Sequence, residues 1–161
     1  MKKKLITLFL FLIIPINALA LIEVDITRGN LNPLPLAVSP LSIDESSRKS
    51  FENILDKENI GSEISIIVEN NLRTSGLFNP LSKDAFLQEP DIANLKPRFE
   101  DWNLIKAQAL ITGKVNFVDD KLRVEFRLWD VLAGKEMMAL AFTTVPNNWR
   151  RVGHIITDKV Y

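Results

Sequence analysis

The sequence predicts an α/β fold, and three stretches carry that expectation. The first is Ile60 to Leu81, where Ile60, Ile64, Ile67, Val68 and Leu72 recur at steps of three to four and so share one helical face. The second is Leu122 to Trp129, where Leu122, Val124, Phe126 and Leu128 alternate with Arg123, Glu125, Arg127 and Trp129, the pattern of a strand with one buried and one wet face. The third is Trp149, Val152, Ile156 and Val160, an apolar stripe at helical spacing near the end of the chain. A helix feeding a strand, a meander and a closing helix make one domain.

Around the first helix the details agree. Glu69 precedes Arg73 by four residues, the favourable order for a helical ion pair, and Gly76 stands where a left-handed cap ends a helix. Leu77 and Phe78 then start an extended run that Asn79 and Pro80 close. Around the second stretch, Ala109, Ile111, Val115 and Phe117 alternate before it, and Asp119 and Asp120 supply a tight turn. Gly134 sits in a hairpin loop after it, and Met138, Leu140 and Phe142 are expected to continue the buried face. Three antiparallel strands follow. Asn147 or Asn148 is the expected cap of the last helix.

Ahead of these elements the chain changes character. Lys2, Lys3 and Lys4, the apolar run Leu5 to Ile14, and the small residues Ala18 and Ala20 form the three parts of a secretory signal peptide, so residues 1–20 are expected to be removed. The run is short of the ~20 residues that span a bilayer. Cleavage takes away three lysines and shifts the formal charge from zero to −3, which is not a nucleic-acid-binding balance. There is no cysteine, so disulfides and thiolate metal sites are excluded and stability must come from a core. At 47% hydrophobic the chain can bury one.

Leu21, Ile22, Glu23, Val24, Asp25, Ile26 and Thr27 read as a terminal strand of alternating aliphatic and acidic residues, set off by Gly29, Asn30, Asn32, Pro33 and Pro35. Such a strand suits pairing with a sheet edge, its own domain's or a partner's. Leu34 to Val38 is expected as an edge or first core strand, because prolines remove ladder donors. Ser39 to Asn59 reads as a solvated loop with at most one helical turn at Phe51, Ile54 and Leu55. Ser82 to Lys96 reads as a surface connection that dips inward near Asp84 to Leu87, and Pro97 to Ala107 as a short helix packing Phe99, Trp102 and Ile105.

Catalytic parts are missing. His154 is the one histidine, and with Asp158 four residues on it leaves a zinc site two ligands short. No G-x-S-x-G elbow surrounds Ser46 and Ser47, and the six glycines form no phosphate loop. The pairs Asp119-Asp120 and Glu100-Asp101 fall in a turn and a helix start, where acids are ordinary. Trp102, Trp129 and Trp149 lack the basic neighbours of a base-stacking platform and are expected to pack helices on the sheet, with one tryptophan exposed. No catalytic residue, metal or cofactor is assigned.

Four runs, NLRTSGLFNPL at 71–81, PRFEDWNLIKAQALITGKV at 97–115, LRVEFRLWDVLAGKEM at 122–137 and NNWRRVGHIITDKVY at 147–161, closely resemble the amino-terminal domain of the TolB family, and the start LIEVDITRGNLNPLPLAV is similar to that family's beginning. The resemblance implies a mixed sheet flanked by two helices, like anticodon-binding domains, over residues 33–161. It also implies a periplasmic, non-enzymatic member of the Tol-Pal system acting in outer-membrane integrity and in envelope constriction at cell division. Residues 21–32 would be a mobile segment in which Leu21, Ile22, Glu23, Val24, Asp25, Ile26, Thr27, Arg28 and Gly29 contact the inner-membrane partner TolA. The family's propeller, which binds the lipoprotein Pal, would follow Tyr161, so a truncated form is expected, for which Pal is a doubtful partner. Leu41 to Lys57 is read as a loop expanded relative to the family. The alternatives are a stand-alone periplasmic adaptor and a periplasmic enzyme.

Overall fold

The computed structural model describes residues 32–161. The leader, its cleavage residues Ala18 and Ala20, and the segment Leu21 to Gly29 lie outside the described residues.

Parallel and antiparallel strands share one sheet of order β3-β1-β4-β5-β6, with β2 beside β4 as a continuation of the β1 side. The strands are β1 (Leu34–Val38), β2 (Ser42–Ile43), β3 (Phe78–Pro80), β4 (Ala109–Val118), β5 (Lys121–Asp130) and β6 (Lys135–Thr144). Helices α1 (Glu45–Leu55), α2 (Ile60–Thr74), α3 (Pro90–Leu95), α4 (Phe99–Leu104) and α5 (Trp149–Val160) connect or close them. The expected mixed sheet is therefore present, with α2 and α5 as its two main flanking helices.

The meander forms as its alternation requires. Leu122, Val124 and Phe126 are fully buried on β5 and pair with Phe117, Val115 and Gly113 of β4. Asp119 and Asp120 both take positive φ, 50° and 57°, the conformation a two-residue turn with right-handed strand twist demands. Gly134 takes φ 61° in the next loop and Gly76 takes φ 73° after α2, both where a left-handed residue was expected. Ile60, Ile64, Val68 and Leu72 of α2 and Trp149, Val152 and Ile156 of α5 bury their stripes against the same sheet face. Between the two helices, Gly153 lets the backbones approach. A Cβ there would stand 2.8 Å from Cγ2 of Ile67.

Several expectations meet the structure here, most of them corrected by it. The segment read as a solvated, expanded loop at 41–57 holds β2 and the eleven-residue helix α1, because Phe51 is fully buried edge-on against Phe117, ring centroids 5.4 Å apart. Of the two alternatives expected for β1, an edge or a first core strand, the core strand is found. It pairs in parallel with β3 on one side and β4 on the other. Pro35 is tolerated because Ser39 donates to Ile111, and two-residue steps back along that ladder put the missing donor opposite Ala107, before β4 begins. The apolar side of β6 is only partly covered, with Leu140 still 37% exposed, because among the described residues no strand and little helix lie beyond it. Finally, Asn148 begins α5 without a side-chain cap bond to a helix amide. Its Nδ2 donates to Thr144 Oγ1 at 3.2 Å instead.

The second sheet face is not uniformly wet. Trp102, Ala93, Ala107, Val131, Ala37 and Leu110 form a smaller core there, under α3 and α4. Gln88 organises it: its side-chain oxygen accepts from the Trp102 indole at 2.9 Å and from the Arg98 amide at 3.0 Å. Those bonds turn the segment at Ser82 to Lys96 inward. No tryptophan is exposed as expected, since Trp129 is half-buried against Phe99 and donates from Nε1 to Thr112 Oγ1 at 2.9 Å.

Candidate functional site

Several of the candidates for chemistry take structural roles. Asp44 caps α1, accepting from the Ser47 amide at 2.8 Å, from Ser47 Oγ at 2.9 Å and from Ser46 Oγ at 2.6 Å. The Ser46 hydroxyl first, and the Ser47 amide with it, hold the Asp44 carboxyl below its ordinary value. Ser47 Oγ in turn accepts from the Phe117 amide at 2.8 Å, so Ser47 ties α1 to β4 while the Ser46 hydroxyl stays on Asp44.

Glu69 behaves similarly. Burial opposes its charge, but the Arg73 guanidinium at 2.7 Å and the Lys83 ammonium at 3.3 Å outweigh burial and lower its carboxyl. Asp101 is held by Arg98 at 2.6 Å across one helical turn. His154 is exposed, and its Nδ1 lies 2.9 Å from Nδ2 of Asn71, which donates to it and also to Thr157 Oγ1 at 3.3 Å. The ring thus bridges α5 to α2. Among the described residues no group of three or more His, Cys, Asp or Glu side chains could hold a metal ion. No described helix is long and apolar enough to cross a membrane.

What the fold does offer is surface for other chains. The residues that precede the sheet, Asn32 and Pro33, are exposed, and Leu34 then enters β1 by donating its amide to Leu77 at 2.9 Å. Beside that entry lies a groove of about 240 Å³ lined by Leu34, Phe78, Leu128, Met137 and Val160, with Tyr161 edge-on to Phe78 at 5.9 Å. At the opposite side of the sheet, among the described residues β6 pairs with β5 alone and presents ten residues as a free edge. No local pattern of residues signals that edge, since strand order depends on which distant strands flank β1. None of the residues 21–29 expected to bind a partner can be placed against these surfaces, as they lie outside the described residues.

Comparison with known proteins follows the same lines. Residues 22–137 match the TolB amino-terminal domain. The chain belongs to the TolB amino-terminal domain family. It is 84% identical over 152 residues to the Tol-Pal system protein TolB of Pelagibacter ubique, a match covering 94% of this chain and 34% of that relative. The chain thus spans about a third of the length of that TolB. Among solved structures, the crystal structure of TolB from Acinetobacter baumannii aligns with TM-score 0.59 at 22% identity over 80% of this chain and 27% of that one. The lipoprotein GNA1162 of Neisseria meningitidis aligns with TM-score 0.50 at 16% identity over 80% of this chain and 94% of its own. At such identities these two matches speak for the fold alone. The mixed sheet with its paired helices is that of the TolB amino-terminal domain.

Proposed function

We propose that the chain serves the Tol-Pal system as the amino-terminal portion of a periplasmic, non-enzymatic TolB, exported by a cleaved signal peptide at residues 1–20, and that it acts through protein contacts in outer-membrane integrity and envelope constriction. The 84% identity to a Tol-Pal system TolB along nearly the whole chain carries this reading. A binding role rather than catalysis is supported by the serine and carboxylate clusters, whose hydrogen bonds are used in capping α1 and pairing α2.

In this reading residues 21–32 are the partner-binding segment and residues 33–161 the domain that carries it. Leu21 to Gly29 reach TolA by adding a strand to its sheet, the aliphatic Ile22, Val24 and Ile26 on one side and Glu23 and Asp25 on the other. Support comes from the alternation itself and from the exposed Asn32 and Pro33 that join it to β1. Pal recognition is left to parts of TolB beyond the third that this chain spans.

Pull-down of TolA by the mature chain tests the proposal. Deleting 21–29 should abolish TolA capture while leaving the unfolding transition nearly unchanged, because the segment's partner lies on another protein. Glu23→Lys with Asp25→Lys should weaken capture by reversing the acidic side alone. Capture retained by both variants would remove the segment from the mechanism.

A further inference from the structure

The free edge of β6 is not uniform along its length. Natural edges are blunted by charges, prolines or bulges that prevent another strand from pairing. On β6 those devices crowd the first residues: Lys135 and Glu136 carry the charges, and the register shift opposite Leu128 and Trp129 lies beside Met137. The remainder, Ala139-Leu140-Ala141-Phe142-Thr143-Thr144, has no charge, no proline and no register shift. Six residues of regular, unblunted edge are enough to pair a short strand.

Both faces beside this half fit an added strand. On the face away from α5, Ala139, Ala141 and Thr143 are small and exposed, so they place no obstacle next to the edge. On the α5 face, a groove of about 350 Å³ opens between β6 and α5, floored by Phe142, Val152 and Ile155. Arg151 lines it too, exposed and engaged in none of the ion pairs among the described residues. An unpaired guanidinium over an apolar groove, next to unpaired backbone groups, selects for one kind of ligand.

We propose that the Ala139–Thr144 half of β6 accepts an extended strand from a partner protein, with apolar side chains entering the groove over Phe142, Val152 and Ile155 and a carboxylate of the strand meeting Arg151. Backbone hydrogen bonds along the edge supply affinity, the groove reads alternate side chains, and Arg151 favours an acidic strand over a neutral or basic one. In this the domain receives a strand, an activity separate from anything residues 21–29 do as donors.

The test uses the mature chain and the nine-residue synthetic peptide Glu-Thr-Ile-Thr-Val-Thr-Ile-Thr-Glu, whose symmetric pattern presents a carboxylate in either strand direction. A second peptide has lysine in place of both glutamates. Amide hydrogen exchange with NMR shifts should show the peptide slowing alternate amides between Ala139 and Thr144, with no comparable change on β3. Arg151→Glu, a surface change at an unpaired side chain, should weaken the acidic peptide at least tenfold and improve the lysine peptide. Equal binding of both peptides to the unaltered chain, or protection elsewhere than on β6, would overturn the assignment. So would sedimentation showing that two copies already occupy this edge in the absence of peptide.

Discussion

Replacing Phe51 by alanine tests the part of the fold that composition conceals. Phe51 lies on α1, in a stretch where Glu45, Arg48, Lys49 and Glu52 would suggest solvent, yet its ring is fully buried and meets Phe117 edge-on at 5.4 Å. Truncating a buried phenylalanine costs about 3 to 5 kcal/mol in lost transfer energy and cavity, of which an aromatic pair accounts for about 0.5 to 1.5. Against a stability of about 5 to 15 kcal/mol for a domain, that is a large fraction. With a urea m-value of about 2 kcal/mol/M, the midpoint should fall by roughly 2 M at unchanged m. Ile54→Ala is the internal control, since Ile54 shares the helix and is 50% exposed. Its midpoint should move by less than ~0.5 M. If urea titration gave the two variants equal midpoints, α1 would not belong to the core, and the burial of Phe51 would have to be abandoned.

Phe126→Ala should cost a similar ~3 to 5 kcal/mol by denaturant titration, whereas Arg127→Ala, on the opposite side of β5 with its guanidinium in an ion pair to Glu136, should cost under ~1. Gly153→Ala would gain up to ~1 kcal/mol of helix propensity at an open site, but here its methyl meets Ile67, so calorimetry should show a lower Tm; a higher one would mean that α2 and α5 are not in close approach. Asp44→Ala should cost about 1 kcal/mol at neutral pH, as loss of an N-cap does. Because the folded-state pKa of Asp44 is depressed, its charged contribution is present above the unfolded value of ~3.9 and fades as pH falls through the folded one, so the gap between variant and parent should narrow in acid. A gap that widened below pH 4 would contradict the capping bonds.

The elements that could be read from the sequence are those whose burial is written into local periodicity. Leu122 to Leu128 alternate, and Ile60 to Leu72 and Trp149 to Ile156 step at helical spacing, because each buries a whole face against one layer. Helix α1 has only Ser47 and Phe51 buried, too few to make a period, and its anchoring through the Ser47 hydroxyl to β4 is a tertiary bond with no local trace. Pro35 left β1 open between an edge and a core strand, and the core position is possible because β4 starts too late to need the missing donor. Likewise, the open half of β6 and its groove with α5 follow from strand order and helix placement, which no window of residues encodes.

The pairing of α2 with α5 joins stretches more than seventy residues apart, and it governs when this domain can become solid. The β4–β5–β6 meander is local and can form early, but Ile64, Val68 and Leu72 lack their cover until Trp149, Val152 and Ile156 arrive. Parallel pairing of β1 with β4 adds a second long closure, between residues near 36 and 109. A chain delivered from its amino end therefore stays open, with its main apolar layer unsealed, until α5 has emerged. Late closure keeps such a chain threadable through a narrow channel, and it makes the interval after emergence, rather than the finished fold, the period of greatest exposure to proteases and to misassembly with other nascent chains.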